Sequence, residues 1–87
     1  FHDIKPQAPA HILIIPKQHI ARISELQNCH ISLMGEMLLL AATIARQQGF
    51  EQDGYRLVLN CGENAGQEVF HIHLHLLAGR KFAWPPG

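Results

Sequence analysis

The first continuous apolar run extends from Ala10 to Pro16, with Ile12-Leu13-Ile14-Ile15 inside it and a proline at each end. A run without alternation predicts a strand buried on both faces, and Pro16 stops it. Before it, Phe1 to Ile4 reads as the end of another strand, closed by Pro6 and Pro9, which force an extended turn. Ser24-Glu25-Leu26-Gln27 has the Ser-x-x-Gln form of a capping box and predicts a short helical turn. From about Cys29 or His30 to Gln48 the spacing predicts one long helix, ended by Gly49 in the left-handed conformation that a helix C-terminus favours. Its apolar positions, Ile31, Leu33, Met34, Met37, Leu38, Leu39, Leu40, Ala41, Ala42, Ile44 and Ala45, run almost all the way round. A surface helix needs one apolar stripe, so the excess predicts a second buried face. A second copy of the chain is the simplest cover for it, and a segment preceding Phe1 is the alternative.

Beyond the helix, Tyr55 to Cys61 predicts a strand in which Tyr55, Leu57 and Leu59 alternate with Arg56 and Asn60, while Val58 breaks the pattern. Gly62-Glu63-Asn64-Ala65-Gly66 makes a turn, and Val69 to Leu77 returns as an antiparallel neighbour. Gly79 ends the sheet, and Trp84-Pro85-Pro86-Gly87 forms a tail that needs a surface to lie against. The sum is an α+β fold, an antiparallel sheet with one long helix. Residues 1–87 make a single domain without repeats or internal linkers.

Composition narrows the partners. With 47% hydrophobic residues the chain is too apolar to be disordered, and at 87 residues it has an incentive to bury a face in a partner. Formal net charge is zero and no basic run occurs, which excludes a nucleic-acid tract or an anionic membrane surface as the main partner. Cys29 and Cys61 sit in no paired motif, so free thiols in a reducing, cytoplasmic setting are expected rather than a disulfide. No signal peptide is recognisable, and no uninterrupted apolar run reaches the ~20 residues of a membrane span. The chain opens on Phe1, already in strand pattern and without a methionine, so a preceding portion is expected to be missing.

The chemistry concentrates in Phe70-His71-Ile72-His73-Leu74-His75-Leu76-Leu77. Alternation on a strand puts His71, His73 and His75 in one row and turns Ile72, Leu74 and Leu76 towards a core. Neighbours in the row stand ~6.5 Å apart and the ends ~13 Å apart, so two imidazoles can share an ion but three cannot unless the strand bends. A central His73 presented to a ligand between two supporting imidazoles fits the spacing better. An imidazole attacks well when one nitrogen is held as N–H and the other points its lone pair at the target. A backbone carbonyl can hold the Nδ1–H of His73, which makes Nε2 a candidate nucleophile. Gly66, Gln67 and the backbone of Glu68 reach the row through a glycine turn, a shape in which successive N–H groups can face an anion.

Gln67-Glu68-Val69-Phe70-His71-Ile72-His73-Leu74-His75-Leu76-Leu77 resembles the signature of the histidine triad (HIT) superfamily. Phe1-His2-Asp3-Ile4, Pro6-Gln7-Ala8-Pro9, Ile15-Pro16-Lys17, Gly54-Tyr55-Arg56, Gly79-Arg80 and Trp84-Pro85-Pro86-Gly87 resemble its Hint branch of nucleoside phosphoramidases. The resemblance implies a homodimeric HIT fold and a metal-independent hydrolase that needs no cofactor. It further implies attack by His73 on the α-phosphorus of a purine nucleoside 5′-phosphoramidate or aminoacyl-adenylate, giving a nucleotidyl-histidine that water hydrolyses. His71 and His75 match the outer triad positions, and His11 matches a fourth histidine suited to proton relay. Asn60 matches a residue near the phosphate. Asp3 and Ile4 match positions beside the nucleoside, where a carboxylate accepts ribose hydroxyls and an aliphatic side chain packs on the base. Trp84 lies on a tail that the family places near the partner protomer's site. Two departures stand out. Some relatives carry serine where this chain has Glu68, and residues 1–87 are expected to lack the N-terminal helix and hairpin that in the Hint branch complete part of the nucleobase pocket.

Plainer readings compete at several positions. His2, His19 and His30 are expected to be hydrogen-bonded structural residues, and Cys61 a small buried one. Asp3 can cap the Pro-Gln-Ala-Pro turn through an Asx bond, Asn60 can be a turn residue, and Trp84 can seal a core. At the level of function, a purine-nucleotide binding or scaffold protein with little turnover is one alternative. A zinc protein using His-x-His with His11 is another, although no carboxylate lies close in sequence to orient the imidazoles.

Overall fold

The computed structural model describes residues 1–87. Three strands, β1 (Ala10–Ile14), β2 (Arg56–Val58) and β3 (Leu74–Ala78), form an antiparallel sheet in the order β1-β3-β2, and one helix, α1 (Ile31–Gln47), crosses one face of it. The α+β reading with a single long helix therefore holds, and β3, which continues from the histidine row, is the central strand.

The register divides the sheet into two unlike faces. Opposed residues share a face, so the pairs Ile12 with Leu76, Ile14 with Leu74 and Leu57 with Leu76 point one way. Against that side α1 lays Met37, Ala41 and Ala45, spaced four apart on one helix stripe. Two of the three are alanines, which lets the helix sit close on the branched side chains of the sheet. Leu76, at the centre, has no exposed surface. The other face carries His11 opposite Leu77, Leu13 opposite His75, and Val58 opposite His75. Val58 breaks the alternation of β2 because it lies opposite His75 on the histidine-bearing face. β1 is closed on the helix side by Ile12 and Ile14, but its second face is closed only at His11, since Leu13 is half-buried and lines a cavity; the expectation of burial on both faces holds in part, and Ile15 lies beyond the strand and is exposed.

Several boundaries differ from the pattern-based ones. β2 is three residues long rather than running from Tyr55 to Cys61, and β3 begins at Leu74 rather than Val69. His71 and His73 therefore precede the ladder. The reason lies in the backbone bonding: Ile72 N–H donates to Ile20 C=O at 2.7 Å, so this stretch is tied to the loop after β1 instead of to a strand. Alternation of burial nonetheless continues through Ile72, Leu74, Leu76 and Ala78, which are buried between half-buried neighbours. At the start of the chain, Phe1 exchanges bonds with Leu13, and Asp3 N–H donates to His11 C=O at 2.8 Å. That segment forms only an isolated bridge, His2 with Ile12.

The capping box is also shifted. Ser24 lies inside a 3-10 turn, Ile23–Glu25, which has no side-chain cap. The reciprocal cap belongs to the next turn, Asn28–His30, where Gln27 and His30 bond each other's backbone N–H just before α1. Gly49, with φ 83°, closes the helix as predicted.

On its outer side α1 exposes Ile31 and Leu39, each 70% accessible, together with Leu38 and Leu40. The second apolar face foreseen from the sequence is real and stands open in the single chain. By length and mean hydropathy alone, Asn28–Gln47 would qualify as a membrane span, although His30, Glu36 and Arg46 interrupt its apolar residues. Here its inner stripe packs on the sheet.

At the end of the chain, Gly79 has φ 97°, and a Cβ there would lie 2.8 Å from Pro9 Cβ. The tail is held at Phe82, whose ring meets the guanidinium carbons of Arg80 and Arg56 at 4.3 and 5.1 Å, while Arg56 Nη2 donates to Ala83 C=O. Trp84 is 82% exposed and seals no core in this chain.

Candidate active site

Hydrogen bonds assign the proton on each imidazole, because a carbonyl accepts and a backbone N–H donates. His73 Nδ1 lies 2.8 Å from His71 C=O and must carry the proton, which leaves the Nε2 lone pair free. His71 Nε2 donates to Pro16 C=O at 2.9 Å. Its Nδ1 is then an acceptor, facing His19 Nδ1 at 3.4 Å, with the shared proton on His19. Gln7 N–H donates to His11 Nδ1 at 3.0 Å, so His11 is protonated on Nε2 and donates to His75 Nδ1 at 2.8 Å. His75 therefore keeps its own proton on Nε2.

Burial, followed by the neighbouring His73 and His11, holds the His75 pKa below its ordinary value, with Asp3 opposing them. Neutral His75 is the form that can accept from His11. Below about pH 6.5 an unfolded chain takes up this proton while the folded one resists it, so His75 subtracts from stability as pH falls and has no such effect above that range. An NMR titration of the His75 ring should give a midpoint below that of a free imidazole. A midpoint at or above it would contradict the arrangement.

A cavity of about 630 Å³ opens over His11, His73 and His75. One wall comes from the N-terminal segment beside β1, with Phe1, Asp3, Ile4, Lys5 and Gln7, and Leu13 lies at its base. The other comes from the connection between β2 and β3, with Asn60, Gly66, Glu68 and Val69. A second cleft, about 590 Å³, lies by the C-terminal end of α1 among Gly49, Phe50, Asp53, Gly54, Gly79, Arg80 and Lys81. It contains no histidine, so the reactive groups single out the first.

Of the residues picked from the sequence, His73, His75, His11, Asp3, Ile4, Asn60, Gly66 and Glu68 converge on this cavity. His71 does not line it: both its ring nitrogens are engaged by Pro16 and His19, and its contribution to His73 is its backbone carbonyl. Trp84 is absent from the cavity as well. Gln67 has a different place from the one expected. Its side chain is 5% exposed, accepts from Gly62 N–H, and donates to Ala21 C=O and Val69 C=O. The anion-facing turn is also narrower than foreseen, since Gly66 N–H and Gln67 N–H donate to Glu63 C=O and Gly62 C=O. Only the Glu68 N–H of the three is left without a backbone acceptor.

Asp3 combines its two readings. Oδ1 accepts from Lys5 N–H at 2.8 Å in an Asx turn, and Oδ2 lies 3.5 Å from His11 Nε2. Asn60 makes no side-chain hydrogen bond, which leaves its amide free for a ligand. His30 is structural as expected, accepting from Gln27 N–H, whereas exposed His2 bonds nothing through its ring. Lys5, Gln7 and Val69 were missed because nothing in a local pattern tells which loop residues meet across a sheet. Cys61 is partly exposed rather than buried, and Ser24, through its N–H and hydroxyl, holds the thiol below its ordinary pKa.

Ligand atoms of Asp3, His11 and His75 lie within 4.8 Å of one another, so the carboxylate lacking nearby in sequence is supplied by the N-terminal segment. The fit to zinc is poor as the rings stand. Two nitrogens on a tetrahedral zinc would be about 3.3 Å apart, from bonds of ~2.0 Å. His11 Nε2 and His75 Nδ1 are 2.8 Å apart, the distance of a shared proton.

Comparison with known proteins agrees with this geometry. The sequence profile of the HIT domain matches residues 1–82. The whole chain is 53% identical to an uncharacterised HIT-like protein of Synechococcus elongatus, covering 75% of it, and 49% identical to a 14 kDa zinc-binding protein of Zea mays, covering 69% of it. Among solved structures, a HIT family hydrolase from Legionella pneumophila superposes with a TM-score of 0.98 at 52% identity, over all of this chain and 78% of that one. A histidine triad nucleotide-binding protein from Candida albicans superposes with a TM-score of 0.77 at 30% identity, over all of this chain and 67% of that one.

Proposed function

The chain belongs to the HIT domain family, and from that premise we propose that it cleaves the P–N or acyl-phosphate bond of purine nucleoside 5′-phosphoramidates or aminoacyl-adenylates without a metal. The observation that carries this reading is His73, with Nδ1–H fixed on a carbonyl and an unpartnered Nε2 opening on the cavity. Nε2 attacks the α-phosphorus. The bond to the leaving group breaks with its electron pair going to that group, which takes a proton from solvent in the open cavity. Water then attacks the nucleotidyl-histidine, the P–N bond to His73 breaks, and the mononucleotide leaves. His75 Nε2–H and the free Glu68 N–H donate to phosphate oxygens, and the His11 bond keeps His75 in the donating tautomer. Asp3 and Ile4 receive the ribose and base.

The test is incubation with adenosine 5′-phosphoramidate in chelator-containing buffer, following AMP by chromatography. Repeated turnover is expected. Tight AMP binding with no release of product would replace the hydrolase by a nucleotide-binding protein. The convergence of Asp3, His11 and His75 favours a second reading, a zinc site, which requires the two rings to part. Stoichiometric zinc surviving dialysis, with activity lost to chelator, would establish it.

The exposed α1 face is the proposed seam of a homodimer. Leu39→Glu would place a carboxylate in that seam, and sedimentation should show monomer where the parent protein is dimeric. A parent protein that sediments as a monomer at micromolar concentration would refute the seam.

A further inference from the structure

Resting on the hydrolase reading above, we propose that Glu68 is a specificity-determining residue that selects substrates whose leaving amine carries a positive charge. The cavity lies across the sheet between two walls. Asp3 and Ile4, the latter 93% exposed and free to pack on a ring, equip the first wall for a nucleoside. With the phosphorus over His73, in-line displacement sends the leaving group outward, opposite Nε2, to the mouth of the cavity, where the second wall is the flank that the nucleoside does not occupy. Glu68 is the one ionisable side chain among the residues that line that wall. It is exposed, joins neither ion pair of the chain, and makes no side-chain hydrogen bond.

A free carboxylate in a cavity built for an anionic phosphate repels the substrate unless another part of the substrate answers it. Of the two substituents on phosphorus, the nucleoside has its own wall, so the answering group belongs to the leaving amine. An ammonium a few ångströms beyond the scissile nitrogen would meet Glu68. A neutral chain of equal length would leave the repulsion uncompensated, and an anionic one would add to it. The same arrangement makes the preference salt-sensitive, since the pair is exposed and screening acts over ~8 Å at physiological ionic strength.

Two adenosine 5′-phosphoramidates of matched size, N-(4-aminobutyl) and N-pentyl, test this directly. In 50 mM salt the native protein should show a kcat/KM about threefold to fivefold higher for the aminobutyl compound, the upper range for one exposed charge pair. The ratio should fall towards one in Glu68→Gln and in 0.5 M salt. Glu68→Gln removes no contact within the fold, so its folding is not at issue. A ratio unchanged by Glu68→Gln overturns the assignment while leaving the hydrolase intact. If neither compound is turned over, the hydrolase reading fails by itself, and dissociation constants of the same pair decide on Glu68. A binding preference lost in Glu68→Gln upholds its role in charge selection, and equal affinities refute it.

Discussion

His73→Ala lowers kcat for adenosine 5′-phosphoramidate by at least about 10⁴-fold, because the substitution removes the atom that forms the covalent intermediate. That corresponds to ~5.5 kcal/mol of activation free energy. The fold should survive, since the ring is half-buried and its one protein hydrogen bond is to the preceding His71 carbonyl. Affinity for AMP should change by less than about tenfold, as the nucleoside wall is untouched. This split between binding and turnover separates a nucleophile from a binding residue. A variant that keeps more than a tenth of native kcat would remove His73 from the chemistry and leave the other imidazoles without a partner to support.

Gln67→Leu is expected to destabilise the protein by about 3 kcal/mol, from the general cost of leaving buried polar groups unpaired. Leucine has nearly the same bulk, so no large cavity forms. It strands Gly62 N–H, Ala21 C=O and Val69 C=O, all three of which Gln67 satisfies from a buried position. Those bonds tie the segment bearing Asn60, Gly66 and Glu68 to the loop after β1, so turnover should also fall at temperatures where the variant is still folded. Gln67→Glu should be no better, because a carboxylate would face two carbonyl oxygens. Urea unfolding measures the first effect and kcat the second. A midpoint shift worth under about 1 kcal/mol would show that the loop stands without this residue.

The contrast between these two residues shows what the sequence could reveal. His73 was legible because its neighbours repeat every second position, and the burial alternation that follows survives even where the ladder does not. α1 was legible for a similar reason, with Gly49 marking its end. Gln67 was read as a substrate contact because its partner Ala21 lies 46 residues away, and no local pattern announces such a bond. His19 is the hydrogen-bonded structural residue expected, but its partner, His71, lies 52 residues away and is named only by the fold. The capping box moved from Ser24 to Gln27 because two spacings of similar form overlap and the backbone uses only one. Glu68 was noticed as a departure, but its place opposite Asp3 depends on which strands flank β3.

The most direct measurement is rapid-quench mass spectrometry of a single turnover with adenosine 5′-phosphoramidate in chelator, on the native protein and on His73→Ala. The expected result is a transient adenylyl adduct that maps to His73, decays to AMP, and is missing from the variant. AMP appearing at the catalytic rate with no adduct, or with an adduct on another residue, would contradict nucleophilic catalysis by His73.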